Sequence, residues 1–169
     1  RPLLFSKPLD YPARAATDLE RPGTHVTHNR RHQRRFAFQV IYSLNFATAM
    51  SKEQLVRSFE NFWAEEEFDI EREDSYAWTL VQGVFDNRAA IDEVITRHSQ
   101  HWKLNRIAKV ELTILRLSLF EMLFTPDIPF KVAMNEAIEL AKDFGDDNSK
   151  TFVNGVLDAA AKGAERDRA

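Results

Sequence analysis

Between Gly23 and Thr125 the chain contains no proline, and Gly83 is the only glycine in that span. Proline cannot donate the helical i→i−4 hydrogen bond, and glycine costs about 1 kcal/mol relative to alanine inside a helix. A sequence that avoids both for so long is most simply helical. Four of the six prolines (Pro2, Pro8, Pro12, Pro22) fall before Gly23, and the other two are Pro126 and Pro129. This punctuation divides the chain into residues 1–28, proline-rich and read as a flexible tail, and residues 29–169, read as one all-α domain.

The 3.6-residue period of apolar positions predicts about seven helices. The first spans about Asn29–Ala49. Ser51-x-x-Gln54 fits a capping box opening a second that ends near Glu67. A third covers about Glu71–Asn87 and a fourth about Ala89–His101. The fifth, about Asn105–Phe124, is apolar nearly all round (Ile107, Val110, Leu112, Ile114, Leu115, Leu117, Leu119, Met122, Leu123) and belongs at the centre of the fold. Pro129 suits the first turn of a sixth, which stops at Gly145 as a C′ glycine. Caps between Asp146 and Ser149 open a seventh, running to about Lys162. No segment reads as a strand. Short loops between such helices give a compact all-α bundle, with two packed groups about the fifth helix, before and after about residue 88.

Composition excludes several chemistries. With no cysteine there is no disulfide framework, thiolate metal site or cysteine nucleophile. No run approaches the roughly 18 apolar residues of a membrane span, which favours a cytoplasmic protein. There is no G-x-x-x-x-G-K-[S/T], G-x-G-x-x-G or G-x-S-x-G. His98-x-x-His101 has helical ligand spacing but no third partner. Glu136, Glu139 and Asp143 read as a charged helix face, as do Glu65, Glu66 and Glu67. Trp63, Trp78 and Trp102 read as core material. No enzyme, metal or cofactor is expected.

Charge is uneven. Residues 1–35 hold eight of the 23 basic residues and three of the 26 acidic ones, leaving 15 basic and 23 acidic in residues 36–169. A polyanion would be gripped at the basic end. On a wheel of the first helix with Arg34 at zero, Phe38 lies at about 40°, Arg31 at about 60°, Tyr42 at about 80° and Arg35 at about 100°. Phe36, Ala37, Val40, Ile41, Leu44 and Ala47 occupy the other side. The wheel thus puts three arginines and two aromatics opposite the core, with Arg30 towards the core edge. Guanidinium groups bind phosphate and exposed rings stack on unpaired bases, the two means of single-stranded RNA recognition. A second candidate is the start of the seventh helix, D-N-S-K-T-F-V-N-G-V-L-D. There Lys150 and Asn154 flank Phe152, about 100° off the apolar stripe, at a helix N-terminus suited to phosphate. The plainer readings are a solvated helix start for the first group and a core rim for the second.

Four runs resemble the NusB transcription antitermination family. They are R-R-H-Q-R-R-F-A-F-Q-V-I-Y (30–42), L-V-Q-G-V-F-D-N-R-A-A-I-D-E-V-I (80–95), W-K-L-N-R-I-A-K-V-E-L-T-I-L-R-L-S-L-F-E-M-L (102–123) and D-I-P-F-K-V-A-M-N-E-A-I-E-L-A-K-D-F-G (127–145), the last followed at once by S-K-T-F-V-N-G-V-L-D (149–158). The resemblance covers about residues 30–162. It implies two packed helical bundles and a non-enzymatic factor that binds boxA RNA with the NusE ribosomal protein, joins Nus factors on RNA polymerase and suppresses termination. By position it implies RNA contact through Arg30, Arg31, Arg34, Arg35, Tyr42, Lys150, Phe152 and Asn154, and it adds Glu111, which the wheel did not select. His32 and Gln33 interrupt the basic run, and Asn148 stands where an acidic residue is common. Two other readings are a detached NusB-like module of an RNA cytosine methyltransferase and a self-associating structural protein; homodimers are also a feature of some family members.

Overall fold

The computed structural model describes residues 29–46, 50–66, 68, 70–100 and 102–168. The tail expected over residues 1–28 lies outside them, as do Ala47, Glu67 and His101. Among the described residues there are seven α-helices: α1 (Arg30–Leu44), α2 (Lys52–Trp63), α3 (Tyr76–Asp86), α4 (Arg88–His98), α5 (Lys109–Phe124), α6 (Phe130–Phe144) and α7 (Asp147–Arg168). The all-α reading holds, and so does the capping box. Ser51 accepts from the Gln54 backbone N–H, and the Gln54 side chain accepts from the Ser51 N–H.

Several boundaries moved for local reasons. Ser75 caps α3 through the Trp78 N–H, so residues 72–74 form only a 3-10 turn. A second such turn, at 104–106, precedes α5, which starts at Lys109 rather than Asn105. Pro129 is the N-cap of α6, not a residue of its first turn. Gly145 is not left-handed: its φ is −102° and ψ −168°. Its value is steric, because a Cβ there would sit 2.6 Å from the Ser149 Cβ where α6 turns into α7. α7 continues beyond Lys162 to Arg168, whose guanidinium covers the Phe130 ring at 5.2 Å.

α5 is the hub. Every residue from Leu112 to Met122 is buried, and the helix touches α1, α3, α4, α6 and α7. One group, α1–α3, is filled by rings: Phe36 meets Phe59, Trp63 and Phe68 edge-on, and Phe59 meets Trp78. The other group is α4–α7. Gly83 lets α3 approach α5, since a Cβ there would lie 2.0 Å from the Phe120 Cζ.

The hub also buries polar groups that bind the two halves. Arg116 makes a two-pronged pair with Asp92 of α4 (2.8 and 2.9 Å) and donates to Asn45 after α1 (3.1 Å). Asn45 in turn donates to Thr113 at 2.8 Å.

Candidate nucleic-acid interface

The α1 arginines divide into two sets. Asn29 caps the helix by accepting from the Arg31 backbone N–H at 2.9 Å. Arg30, Arg31 and Arg35 are exposed. Arg30 lies 4.7 Å over the Tyr76 ring, a cation–π seat that limits its motion. Arg31 donates from Nε and Nη2 to the two oxygens of Glu136, at 3.2 and 2.9 Å. That hydrogen bond and the carboxylate charge raise its pKa, so Arg31 stays cationic. Arg35 comes within 3.6 Å of Asp143 and lies 6.0 Å over Phe144. The face of α6 that the sequence marks as charged thus sets Glu136 and Asp143 opposite Arg31 and Arg35.

Arg34 departs from the expected placement. It is 4% exposed rather than on the solvent face, and its Nε donates to Glu121 of α5 at 2.7 Å. Tyr76 donates to the same Glu121 oxygen, and burial, followed by that carboxylate's charge, drives the phenol above its usual range. Phe38 is buried as well, stacked 4.3 Å from Phe144. Tyr42 is half-buried, 5.9 Å from Phe38 and 5.4 Å from the exposed Phe46. The wheel assumed one core face. α1 instead packs against α2, α3 and α5, and Phe144 of α6 covers part of the face taken as open. The interruptions in the basic run face the start of α3 and the segment after α2. Gln33 is buried and accepts from the Ala77 N–H at the start of α3, at 3.0 Å. His32 lies 3.5 Å from Glu66 and against Phe68.

The second group forms around the start of α7. Asp146 accepts from the Ser149 N–H (2.9 Å), and Ser149 Oγ accepts from the Asp146 N–H (3.2 Å). The Ser149 N–H also holds the Asp146 carboxyl below its ordinary pKa. Ser149 Oγ lies 3.1 Å from Glu111 of α5, within donating distance. Glu111 therefore belongs to this corner, which no wheel of α5 alone shows. Lys150 and Phe152 are half-buried and Asn154 is exposed. Phe152 stands edge-on to Trp102 at 6.4 Å.

Trp102 is not core, being 55% exposed, whereas Trp78 is buried and Trp63 packs against the core. Its sequence signal was its neighbours: Lys103 follows it, and no apolar period includes it. The two groups meet at the α6–α7 corner, where Phe144, stacked on Phe38, precedes the Asp146 cap by two residues.

Among the described residues no three histidine or carboxylate side chains gather to hold a metal, and no helix is long and apolar enough to cross a membrane. Cations and rings side by side suit a polyanion with stackable bases. Fold and rim together define a helical binding protein.

The comparisons refine that class. The NusB family model matches residues 31–162. The transcription antitermination protein NusB of Oleidesulfovibrio alaskensis is 48% identical over 141 residues, covering 81% of this chain and 90% of its own. Among solved structures, T. maritima NusB is 33% identical, with a TM-score of 0.67 over 79% of this chain and 91% of its own. The antitermination factors NusB and NusE in complex with double-stranded RNA supply a 26% identical chain, with a TM-score of 0.69 over 79% of this chain and 96% of that one. The chain belongs to the NusB family of transcription antitermination proteins.

Proposed function

We propose that the protein is a bacterial, cytoplasmic antitermination factor that binds boxA-type RNA together with a NusE ribosomal protein and delivers it to Nus factors on RNA polymerase. The observation that carries this reading is family membership joined to two groups, the exposed cations of α1 (Arg30, Arg31, Arg35) and the corner of Glu111, Lys150, Phe152 and Asn154, linked by the Phe38–Phe144 stack. In this reading residues 29–169 are the RNA-binding unit. Arg30, Arg31 and Arg35 engage phosphates; Arg31 keeps Nη1 for a ligand while Nε and Nη2 hold Glu136. Tyr42 and Phe152 stack on bases, and Lys150 and Asn154 hold the backbone beside Phe152. Arg34 supports the surface from inside. The relatives are antitermination proteins matched over about nine-tenths of their own length, which favours this reading over a methyltransferase module.

A mobility titration of a short boxA RNA, single-stranded and as a duplex, with and without the ribosomal protein, tests it. Tighter binding of the single strand when the protein partner is present is expected. No binding of either RNA with the partner present would leave the self-associating structural reading.

A further inference from the structure

Around Trp102 the electrostatics are the reverse of those around α1. Arg31, Arg34 and Arg35 each face a carboxylate. Lys103 and Arg106 in the segment leading into α5, Lys109 at its first residue and Lys150 at the start of α7 have no carboxylate within 4.0 Å among the described residues, Glu111 at the same corner included. Next to Lys103 in the chain, and in ring contact with Phe152 two residues on from Lys150, stands an indole 55% exposed to water.

The backbone that carries the indole is also held in place. Ser99, 2% exposed, donates from Oγ to the Trp102 carbonyl at 2.9 Å, and its own carbonyl accepts from the Trp102 N–H at 3.2 Å. Gln100 between them has φ 43°, the left-handed region that non-glycine residues seldom occupy. A strained, tied loop that presents a large ring to solvent gains nothing for the core. Phe152 braces one edge of the ring at 6.4 Å.

Resting on the RNA-binding reading above, we propose that Trp102 is a base-stacking residue for single-stranded RNA, with Lys103, Arg106, Lys109 and Lys150 taking the flanking phosphates. This adds a binding station to the surface of α1. Its occupant is a nucleotide rather than an apolar protein segment, because the ring is followed in the chain by three cations without a carboxylate partner and touches Phe152, two residues on from a fourth, and a phosphodiester strand supplies both complements.

The test uses the full chain and a short boxA single strand, read by mobility shift and by tryptophan emission. RNA should quench the exposed Trp102 more than the enclosed Trp78. Trp102→Leu should weaken RNA binding by about ten-fold, within the range of one lost stacking contact, with an unchanged thermal midpoint; Trp102→Phe should recover most of the affinity. Lys103→Ala with Arg106→Ala should flatten the salt dependence, whereas Trp102→Leu should not. Wild-type protein that fails to bind RNA at all defeats the functional reading itself. Wild-type binding matched by Trp102→Leu, or quenching that persists in that variant, overturns only the stacking role. Loss of affinity for the ribosomal protein in the absence of RNA would overturn it in favour of a protein contact.

Discussion

Glu121 is fully enclosed, and a single oxygen of its carboxylate accepts from both Arg34 and Tyr76, while the other has no hydrogen-bond partner among the described residues. Such a group depends on the guanidinium beside it. Truncating one member of a buried ion pair typically costs about 3–5 kcal/mol, because the remaining charge is left uncompensated, whereas replacing both by apolar groups is often close to neutral. Arg34→Ala is therefore expected to lower the urea midpoint sharply, and Arg34→Met with Glu121→Leu to regain much of that loss. The folded double variant also separates support from contact. Its RNA salt dependence should match wild type, while Arg35→Ala should reduce the slope by about 0.7, the share of one phosphate on a single strand. A double variant with a reduced slope would return Arg34 to the contact surface.

At the scale of elements, the seams between helices depend on small residues and on one imidazole. α3 lies against α5 only because Gly83 leaves room for the Phe120 ring. Gly83→Ala should destabilise by about 1–3 kcal/mol, an overpacking penalty, and a thermal or denaturant melt checks it. At the α4–α7 seam, Gly163 packs against His98, whose pKa is lowered by burial and then by Arg97 and Arg166, against a smaller opposing effect of Asp167. The folded protein thus binds its proton less readily than the unfolded chain. The contribution is complete above the ordinary imidazole pKa and is lost as pH falls through that value towards the folded one. The denaturation midpoint should drop on acidification across that window, and His98→Gln should flatten the drop.

The same seams mark what could be read in advance. Helix number, the central α5 and the Ser51 capping box are local or periodic features, and they were legible. The burial of Arg34 and Phe38, the exposure of Trp102 and the meeting of Glu111 with Ser149 depend on which helices lie across from each other. A wheel of one element contains no such information. The motif resemblance reached Glu111, because it carries tertiary contacts implicitly.

The whole molecule carries a formal net charge of −3, so attraction of a polyanion depends on where cations are left free. On α1 two of the three exposed arginines already hold α6 carboxylates, and an incoming phosphate must share or displace Glu136 and Asp143. Around Trp102 no such exchange is required. Each phosphate neutralised on a single strand contributes about −0.7 to the slope of log K against log salt. Contact confined to Arg30, Arg31, Arg35 and Lys150 should therefore give a slope no steeper than roughly −3. Adding Lys103, Arg106 and Lys109 should carry it towards roughly −5. A titration of boxA RNA across monovalent salt reads that number directly, and the Lys103→Ala, Arg106→Ala double variant should lower it by roughly 1.4. A steep slope that this variant leaves unchanged would place the strand elsewhere on the protein, and a slope near zero would remove phosphate recognition from either surface.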